Sequence, residues 1–371
     1  MQWKLRDKTS IVGVGNTAYG SFPDSNSDGL AAEALNNALE DCGLSKSDID
    51  GVITNRIPST ERFCEMMGLK TRFSIHTEMP GRFSGISLIQ AVQALEAGEA
   101  NYIALVYGNH GRSQKMAYGG GETLWSPWGM TSPGAIHAMM WRQHMHRYGT
   151  TSEDLAHVAV AFRKHACMNP EAVMQKPITI EDHQTSRSIA DPLRLLDYCL
   201  INDGGVAWIM TTAERARDLR KPPVYVSGFA RQDRMMESST PDPDLWYETL
   251  QSVAGQVYDR AGISREEIDG LMIYDNFTPT VMFSLEGMGF CPRGDSGRFV
   301  RDGTLEQGRG RWPTNTNGGH LSESYMQGWA LIVEAVRQVR NELPEGRQIP
   351  DCNAVQYICA TNQASSIIFR R

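Results

Sequence analysis

The same helix–turn–strand text occurs twice in this chain. Residues 257–273, V-Y-D-R-A-G-I-S-R-E-E-I-D-G-L-M-I, align without a gap on residues 38–54, A-L-E-D-C-G-L-S-K-S-D-I-D-G-V-I-T. Each copy ends a helix on a glycine, turns through a serine-led polar stretch, and enters a short apolar strand after Asp-Gly. A glycine just past a helix supplies the left-handed residue that ends it. Helix end, turn and strand recurring in one order point to a duplicated α/β half. At about 150 residues per domain, 371 residues accommodate two such halves.

The flanking sequence extends both copies. Residues 9–15, T-S-I-V-G-V-G, form a β-branched run that predicts a buried strand. The following G-V-G-N-T lacks the third glycine and the later acidic residue of a dinucleotide fingerprint. Asp28 is the expected cap of a helix over 29–42, with Leu30, Ala34, Leu35, Ala38 and Leu39 on its apolar face. In the first half, Gly81-Arg82-Phe83-Ser84-Gly85 opens a helix over 86–97, and 102–107 is a fully buried strand. In the second half, the Gly318-Gly319 loop precedes a helix over 329–340, and 354–359 is the strand. Strands alternating with helices predict a mixed or parallel sheet covered on both faces. An insertion of about residues 111–190 interrupts the first half. It carries G-G-G-E-T-L-W-S-P-W-G-M, a helix over 133–148 and another over 152–166 capped by Ser152. Lys221-Pro-Pro is the expected boundary, giving halves of 1–221 and 222–371.

Composition narrows the function. A net charge of −7 without a basic cluster excludes a nucleic-acid footprint. No apolar run reaches the roughly 18 residues that span a bilayer, and the N-terminus does not read as a signal peptide. Seven cysteines without a C-x-x-C pair predict reduced thiols, no zinc site and a cytoplasmic enzyme. His137, His144 and His146 lack a carboxylate on the same turn, which favours packing or surface roles over a metal site.

The stretch from Trp312 to Gly328, W-P-T-N-T-N-G-G-H-L-S-E-S-Y-M-Q-G, holds the candidate chemistry. Gly318-Gly319 permits positive φ and a close approach of backbone to a ligand. Exposed N–H groups at a helix start attract an anion or a developing oxyanion, and Tyr325 stands at the mouth of the next helix. Taken alone, the segment reads first as a glycine-rich turn with a buried tyrosine and second as such a site.

The I-V-G-V-G-N-T start, the two Asp-Gly blocks, Asp203-Gly204-Gly205 and N-T-N-G-G together resemble the thiolase superfamily across essentially the whole chain. Y-G-T-T-S-E-D-L-A, N-P-E-A and S-I-A-D-P-L-R-L-L-D-Y are similar to its sterol-carrier-protein-X, or lipid-transfer, branch. The resemblance implies a five-layered αβαβα fold of two duplicated halves with an inserted loop domain. It also implies a homodimer packed through residues 98–108. Where thiolases carry a nucleophilic cysteine in a C-x-S-G turn, this chain has Arg82-Phe83-Ser84-Gly85. Tyr325 stands in place of a catalytic histidine, and Tyr274-Asp275-Asn276-Phe277 replaces the N-E-A-F or H-D-C-F motif. An arginine cannot serve as that nucleophile, which disfavours thiolysis by the usual covalent route.

Y-D-N-F-T-P-T, L-E-G-M-G-F-C-P-R-G and G-G-H-L-S-E-S-Y resemble the thiolase-like aldolases of steroid side-chain degradation. That likeness implies retro-aldol cleavage of a β-hydroxyacyl-CoA to a ketone and a shorter acyl-CoA such as propionyl-CoA. Tyr274 and Tyr325 would share the acid and base roles, either one serving in either role. Gly318, Gly319 and His320 would hold the thioester oxygen, with Asn276 as a hydrogen-bonding wall and Asp275 as an orienter. Arg82 would bind phosphate, pair with Asp275 or plug the old nucleophile pocket. The resemblance implies no cofactor or metal in this chain, and a small partner with an OB-fold and zinc ribbon, in an α2β2 assembly. The alternatives are a non-catalytic acyl-CoA or sterol-binding protein, and an acyltransferase working with a partner.

Overall fold

The computed structural model describes residues 3–78, 81–116, 123–234 and 240–371, so Gly119 to Glu122 of the G-G-G-E run lie outside the described residues. The chain opens with β1 (Thr9–Asn16), α1 (Ser27–Cys42), β2 (Gly51–Asn55), α2 (Thr60–Met67), β3 (Phe73–His76), α3 (Phe83–Glu96) and β4 (Tyr102–His110). Next come α4 (Pro133–Tyr148), α5 (Ser152–Met168), α6 (Ile180–Thr185), a small ribbon of β5 (Ser188–Ala190) and β6 (Leu193–Arg194), then β7 (Asp203–Thr212) and α7 (Ala213–Ala216). The remainder comprises β8 (Val224–Asp233), α8 (Pro243–Ala261), β9 (Gly270–Ile273), α9 (Thr278–Gly287), α10 (Ser296–Arg301), α11 (Gly319–Ser322), α12 (Trp329–Arg340), β10 (Ala354–Cys359) and β11 (Gln363–Arg370).

The strands follow the order β3-β2-β4-β7-β1-β8-β11-β10-β9. The seam between β1 and β8 rests on only two register pairs, Ser10 with Tyr225 and Ile11 with Val224, so two half-sheets meet there. Their pairing repeats. β2 runs parallel to β4, and β9 parallel to β10. β4 is antiparallel to β7, and β10 to β11. β3 lies parallel beside β2, and Thr314 makes the matching parallel bridge to Leu271 on β9. The duplicated text thus has a duplicated structure.

Alternation along the strands builds the layers. Ile103, Leu105 and Tyr107 of β4 and Val206, Trp208 and Met210 of β7 face a central core. Their neighbours Ala104, Val106, Ala207 and Ile209 face an outer core with α1. On the second half-sheet Val355, Tyr357 and Cys359 join the central core, while Ala354 and Ile358 turn outward to α8 and α9. Helices α3 and α12 pack against strands of both half-sheets and form the middle layer. The Trp329 ring of α12 stacks on Trp208 of β7 with centroids 4.2 Å apart. The result is the five-layered αβαβα arrangement.

Several local expectations change. Asn26, not Asp28, caps α1, because its Oδ1 accepts from Gly29 N at 2.8 Å. Asp28 lies in the first turn and pairs with Arg62. Thr151, not Ser152, caps α5 in a reciprocal box with Asp154. Cys359 does not end the last strand, since β11 follows and pairs back on β10. Strand β4 sits between β2 and β7 with both ladders filled and Ile103 to Tyr107 fully buried, so within the 98–108 stretch the strand itself offers no free surface; of the two outermost strands, β3 has no further strand beside it, whereas residues 313–315 line the outer side of β9. His137 and His144 are buried and His146 is exposed. His144 Nε2 lies 3.1 Å from Glu286 Oε1. Among the described residues, no group of three or more possible ligands could hold a metal, and no helix is long and apolar enough to cross a membrane.

Close helix–strand packing makes two glycines respond oppositely to one methyl. A Cβ on Gly15 would lie 2.4 Å from Ala38 N and 2.5 Å from Ala34 O, so α1 would have to move. Gly255, inside α8, has nothing within 4 Å of such a Cβ. Urea denaturation should show Gly15→Ala destabilised by about 1–3 kcal/mol. Gly255→Ala should gain about 0.5–1 kcal/mol, the cost of a glycine within a helix.

Candidate active site

Two loops of the second half converge on the central layer. Strand β9 runs straight into Tyr274-Asp275-Asn276-Phe277, and Tyr274 N donates to Ile358 O of β10 at 2.8 Å. The second loop is held beside it by Asn315, whose backbone has the left-handed φ of 49°. Asn315 Oδ1 accepts from Ile273 N at 2.7 Å and its Nδ2 donates to Ile273 O at 2.8 Å. A side-chain amide here takes the place of a neighbouring strand, leaving no buried backbone group of Ile273 unpaired. Asp275 makes the next link, accepting from His320 N at 2.9 Å and Leu321 N at 3.2 Å.

These links bring Tyr274 Oη to 3.0 Å from Tyr325 Oη, with both side chains buried. His320 packs edge-on against both phenol rings, at centroid distances of 4.8 Å and 5.2 Å. Its Nε2 accepts from Gly328 N at 2.8 Å, so the ring proton lies on Nδ1. Nδ1 approaches Asp275 Oδ1 to 3.2 Å but lacks an aligned hydrogen-bond acceptor. We read this as packing contact rather than an ion pair, because burial holds the imidazole neutral with its pKa lowered to about 3. Burial also raises Asp275 to about 8, against the pull of the two backbone amides. Tyr274 is raised well above its ordinary value, first by burial and then by Tyr325.

The glycine pair does something other than bind a ligand. Gly318 and Gly319 adopt φ of 109° and 63°. A Cβ on Gly319 would lie 2.2 Å from Asp275 Oδ2. Their amides are already used, Gly318 N donating to Asn315 O at 2.8 Å and Gly319 N to Asn317 Oδ1 at 3.0 Å. The expected thioester-oxygen role is therefore corrected for Gly318 and Gly319, whose amides are spent within the loop, whereas His320 keeps an Nδ1–H without an aligned acceptor. Asn276 differs. Its Oδ1 accepts from Phe277 N at 3.1 Å and Thr280 Oγ1 at 2.7 Å, which orients the half-buried Nδ2 donor outward from those bonds.

Arg82 caps α3 and does not pair with Asp275. Its Nε donates to Gln363 Oε1 and its guanidinium lies 5.5 Å from the Phe83 ring centroid. Cys359 is wholly buried and burial lifts it to about 12, and burial raises Cys199 further. Sequence reasoning missed Gly81 as a site residue. A Cβ there would sit 1.9 Å from Tyr274 Oη, so only glycine leaves room for that hydroxyl. The sole sequence signal was a glycine beginning the turn that lacks the cysteine.

Comparison with known proteins agrees with this architecture. Residues 232–367 match the model of the thiolase C-terminal domain-like family. The steroid side-chain-cleaving aldolase of Thermomonospora curvata is 37% identical over 357 residues, covering 91% of each chain. The 17-hydroxy-3-oxo-4-pregnene-20-carboxyl-CoA lyase of Mycobacterium tuberculosis is 36% identical, covering 96% of each. The solved structure of the Ltp2-ChsH2(DUF35) aldolase superposes with a TM-score of 0.91 at 35% identity, covering 99% of this chain and 98% of that one. A mixed α/β fold of two such halves, with the site between them, is that of the thiolase superfamily. Within it, the chain belongs to the family of thiolase-like steroid side-chain-cleaving aldolases, and it is a carbon–carbon lyase.

The raised Asp275 gives a pH signature. An unfolded aspartate ionises near 3.8, whereas the folded one stays protonated to about 8. Its contribution to stability is therefore fully present below 3.8 and lost as pH rises toward 8. Groups such as His320, lowered from 6.5 to about 3, have the opposite slope and finish titrating by pH 6.5. Thermal melts between pH 6.5 and 8 should show Asp275→Asn gaining steadily on the native chain.

Proposed function

We propose that this chain cleaves the side chain of a steroid β-hydroxyacyl-CoA by a retro-aldol reaction without a covalent cysteine intermediate. The observation that carries the reading is the 3.0 Å contact between the Tyr274 and Tyr325 hydroxyls. Two phenols in hydrogen-bond contact form a proton relay that starts and ends neutral. Tyr325 takes the proton of the β-hydroxyl as its own passes to Tyr274, and Tyr274 delivers its proton to the α-carbon. The Cα–Cβ bond breaks in the same sequence, leaving a ketone and a shorter acyl-CoA such as propionyl-CoA. Burial keeps Tyr274 a neutral phenol, which fits a relay that begins and ends without charge. Asn276 Nδ2 is the donor assigned to the thioester oxygen as the enolate develops. The raised thiols of Cys199 and Cys359 favour this route over acyl transfer.

The substrate class follows the 37% and 36% identical relatives, one named for steroid side-chain cleavage and one for a steroid carboxyl-CoA. The partner follows the two-component Ltp2-ChsH2(DUF35) aldolase. We assign a small partner with an OB-fold and zinc ribbon, any zinc being the partner's, on a homodimer of this chain in a heterotetramer. This chain works without a cofactor of its own in the cytoplasm.

Tyr274→Phe and Tyr325→Phe each delete one hydroxyl and keep the ring. General acid–base catalysis contributes about 10²- to 10⁴-fold, and each variant should lose that much kcat while its melting curve shifts by no more than a lost hydrogen bond of about 1 kcal/mol. The double variant should lose much less than the product of the two. Ketone and acyl-CoA release measured on all three proteins with the partner present checks this, and normal turnover in both single variants ends the assignment. Arg82→Cys should gain no thiolysis, since neither tyrosine can activate the new thiol as a histidine would.

A further inference from the structure

We propose that Asn202 is the positioning residue for Tyr325, acting as the last anchor of a strap, residues 199–202, that sets the spacing of the two tyrosines. The strap comes from the first half, yet it bonds in turn to both loops of the second. Cys199 N donates to Asn276 O at 3.0 Å and Leu200 N to His320 O at 2.9 Å. Asn202 Oδ1 accepts from Tyr325 N at 2.7 Å.

Each end of the strap is fixed. Ahead of it, Tyr198 bridges Phe277, and buried Asp197 accepts from Arg194 N at 2.7 Å and contacts His183 Nε2 at 2.8 Å. Behind it, buried Asp203 accepts from Phe22 N and Arg112 N, each at 2.8 Å. Asn202 is 1% exposed, its Nδ2 donates to Asp203 O at 3.1 Å, and its own carbonyl accepts from Asn109 Nδ2 at 2.8 Å. An amide side chain is suited to this place because it both accepts from Tyr325 and donates to Asp203.

The segment it holds does not choose its own shape. Just after Tyr325, Gln327 and Gly328 take left-handed φ of 49° and 89°. A buried glutamine in that region persists only where its surroundings over-determine it. The Tyr325 amide belongs to the residue that carries the reacting hydroxyl, and Asn202 Oδ1 is its acceptor. Asn202 touches no reacting atom and acts wholly through Tyr325.

The catalytic arm of the test rests on the aldolase reading above, and amide hydrogen exchange provides an arm that does not. With the partner present, Asn202→Ala should lower kcat about 10²-fold, the cost of misplacing a reacting group by about 1 Å, with KM within threefold. Asn202→Asp, which keeps the accepting oxygen, should recover activity to within tenfold of native. In a Tyr325→Phe background, Asn202→Ala should lower turnover less than threefold further. Exchange should quicken in the peptide spanning residues 320–329 of Asn202→Ala. Should the alanine chain not fold, Asn202→Ser, whose hydroxyl stops short of the amide, is read by the same criteria. Native kcat in the alanine or serine chain, or full multiplication of the two losses, overturns the proposal. A native chain without cleavage sinks the functional reading instead, and exchange then decides the positioning: unchanged protection of residues 320–329 overturns it.

Discussion

One buried carboxyl group joins the two loops on which the chemistry depends. Asp275 follows Tyr274 in the chain and binds the amides that begin α11, four residues before Tyr325. The sequence separation between the tyrosines is thereby closed by a side chain beyond the point where the Thr314–Leu271 bridge ends. Asn315 performs the companion task two residues before Asp275, pairing both backbone groups of Ile273. Neither link tolerates much displacement, since each satisfies groups that have no water to turn to. The positive φ of Gly318 and Gly319 is the geometric consequence, because the loop has to fold closely over Asp275.

The site lies where the duplication places it. Alternation along β9 and β10 points Tyr274, Tyr357 and Cys359 into the middle layer shared by the half-sheets. There the turn before α3 delivers Gly81 and Arg82 from the first half, and the loop before α12 delivers Tyr325 from the second. In the turn before α3, Arg82 bonds away to Gln363. The Tyr274 hydroxyl lies against Gly81 in the same turn.

Burial also sets the electrostatic character of the site. His320 is held neutral, Asp275 is raised, and the thiols of Cys199 and Cys359 stay protonated. Charged intermediates on the protein are disfavoured in such a place. The proposed relay, which passes one proton along two neutral phenols, meets that constraint.

Much of this was legible in the chain alone, for physical reasons. The repeated Gly–turn–Asp-Gly blocks, the bounds of α4, α12 and β10, and the pairing of tyrosine motifs are local matters of glycine conformation, apolar period and residue chemistry. Helix caps were misassigned at Asp28 and Ser152 by one or two residues, because which oxygen meets the free amide depends on the entry angle of the backbone. Strands β3, β8 and β11 escaped notice; β11, with its serines, is stabilised by partners on both sides rather than by its own pattern. The sequence could show that Gly318 and Gly319 are needed but not for what, and it offered their amides to a ligand that Asn315 and Asn317 have displaced. The nearness of Gly81 to Tyr274, of Asn202 to Tyr325, and of the two hydroxyls to one another was decided by tertiary packing. These contacts join residues scattered across both halves, and no local preference along the chain encodes a distance between them.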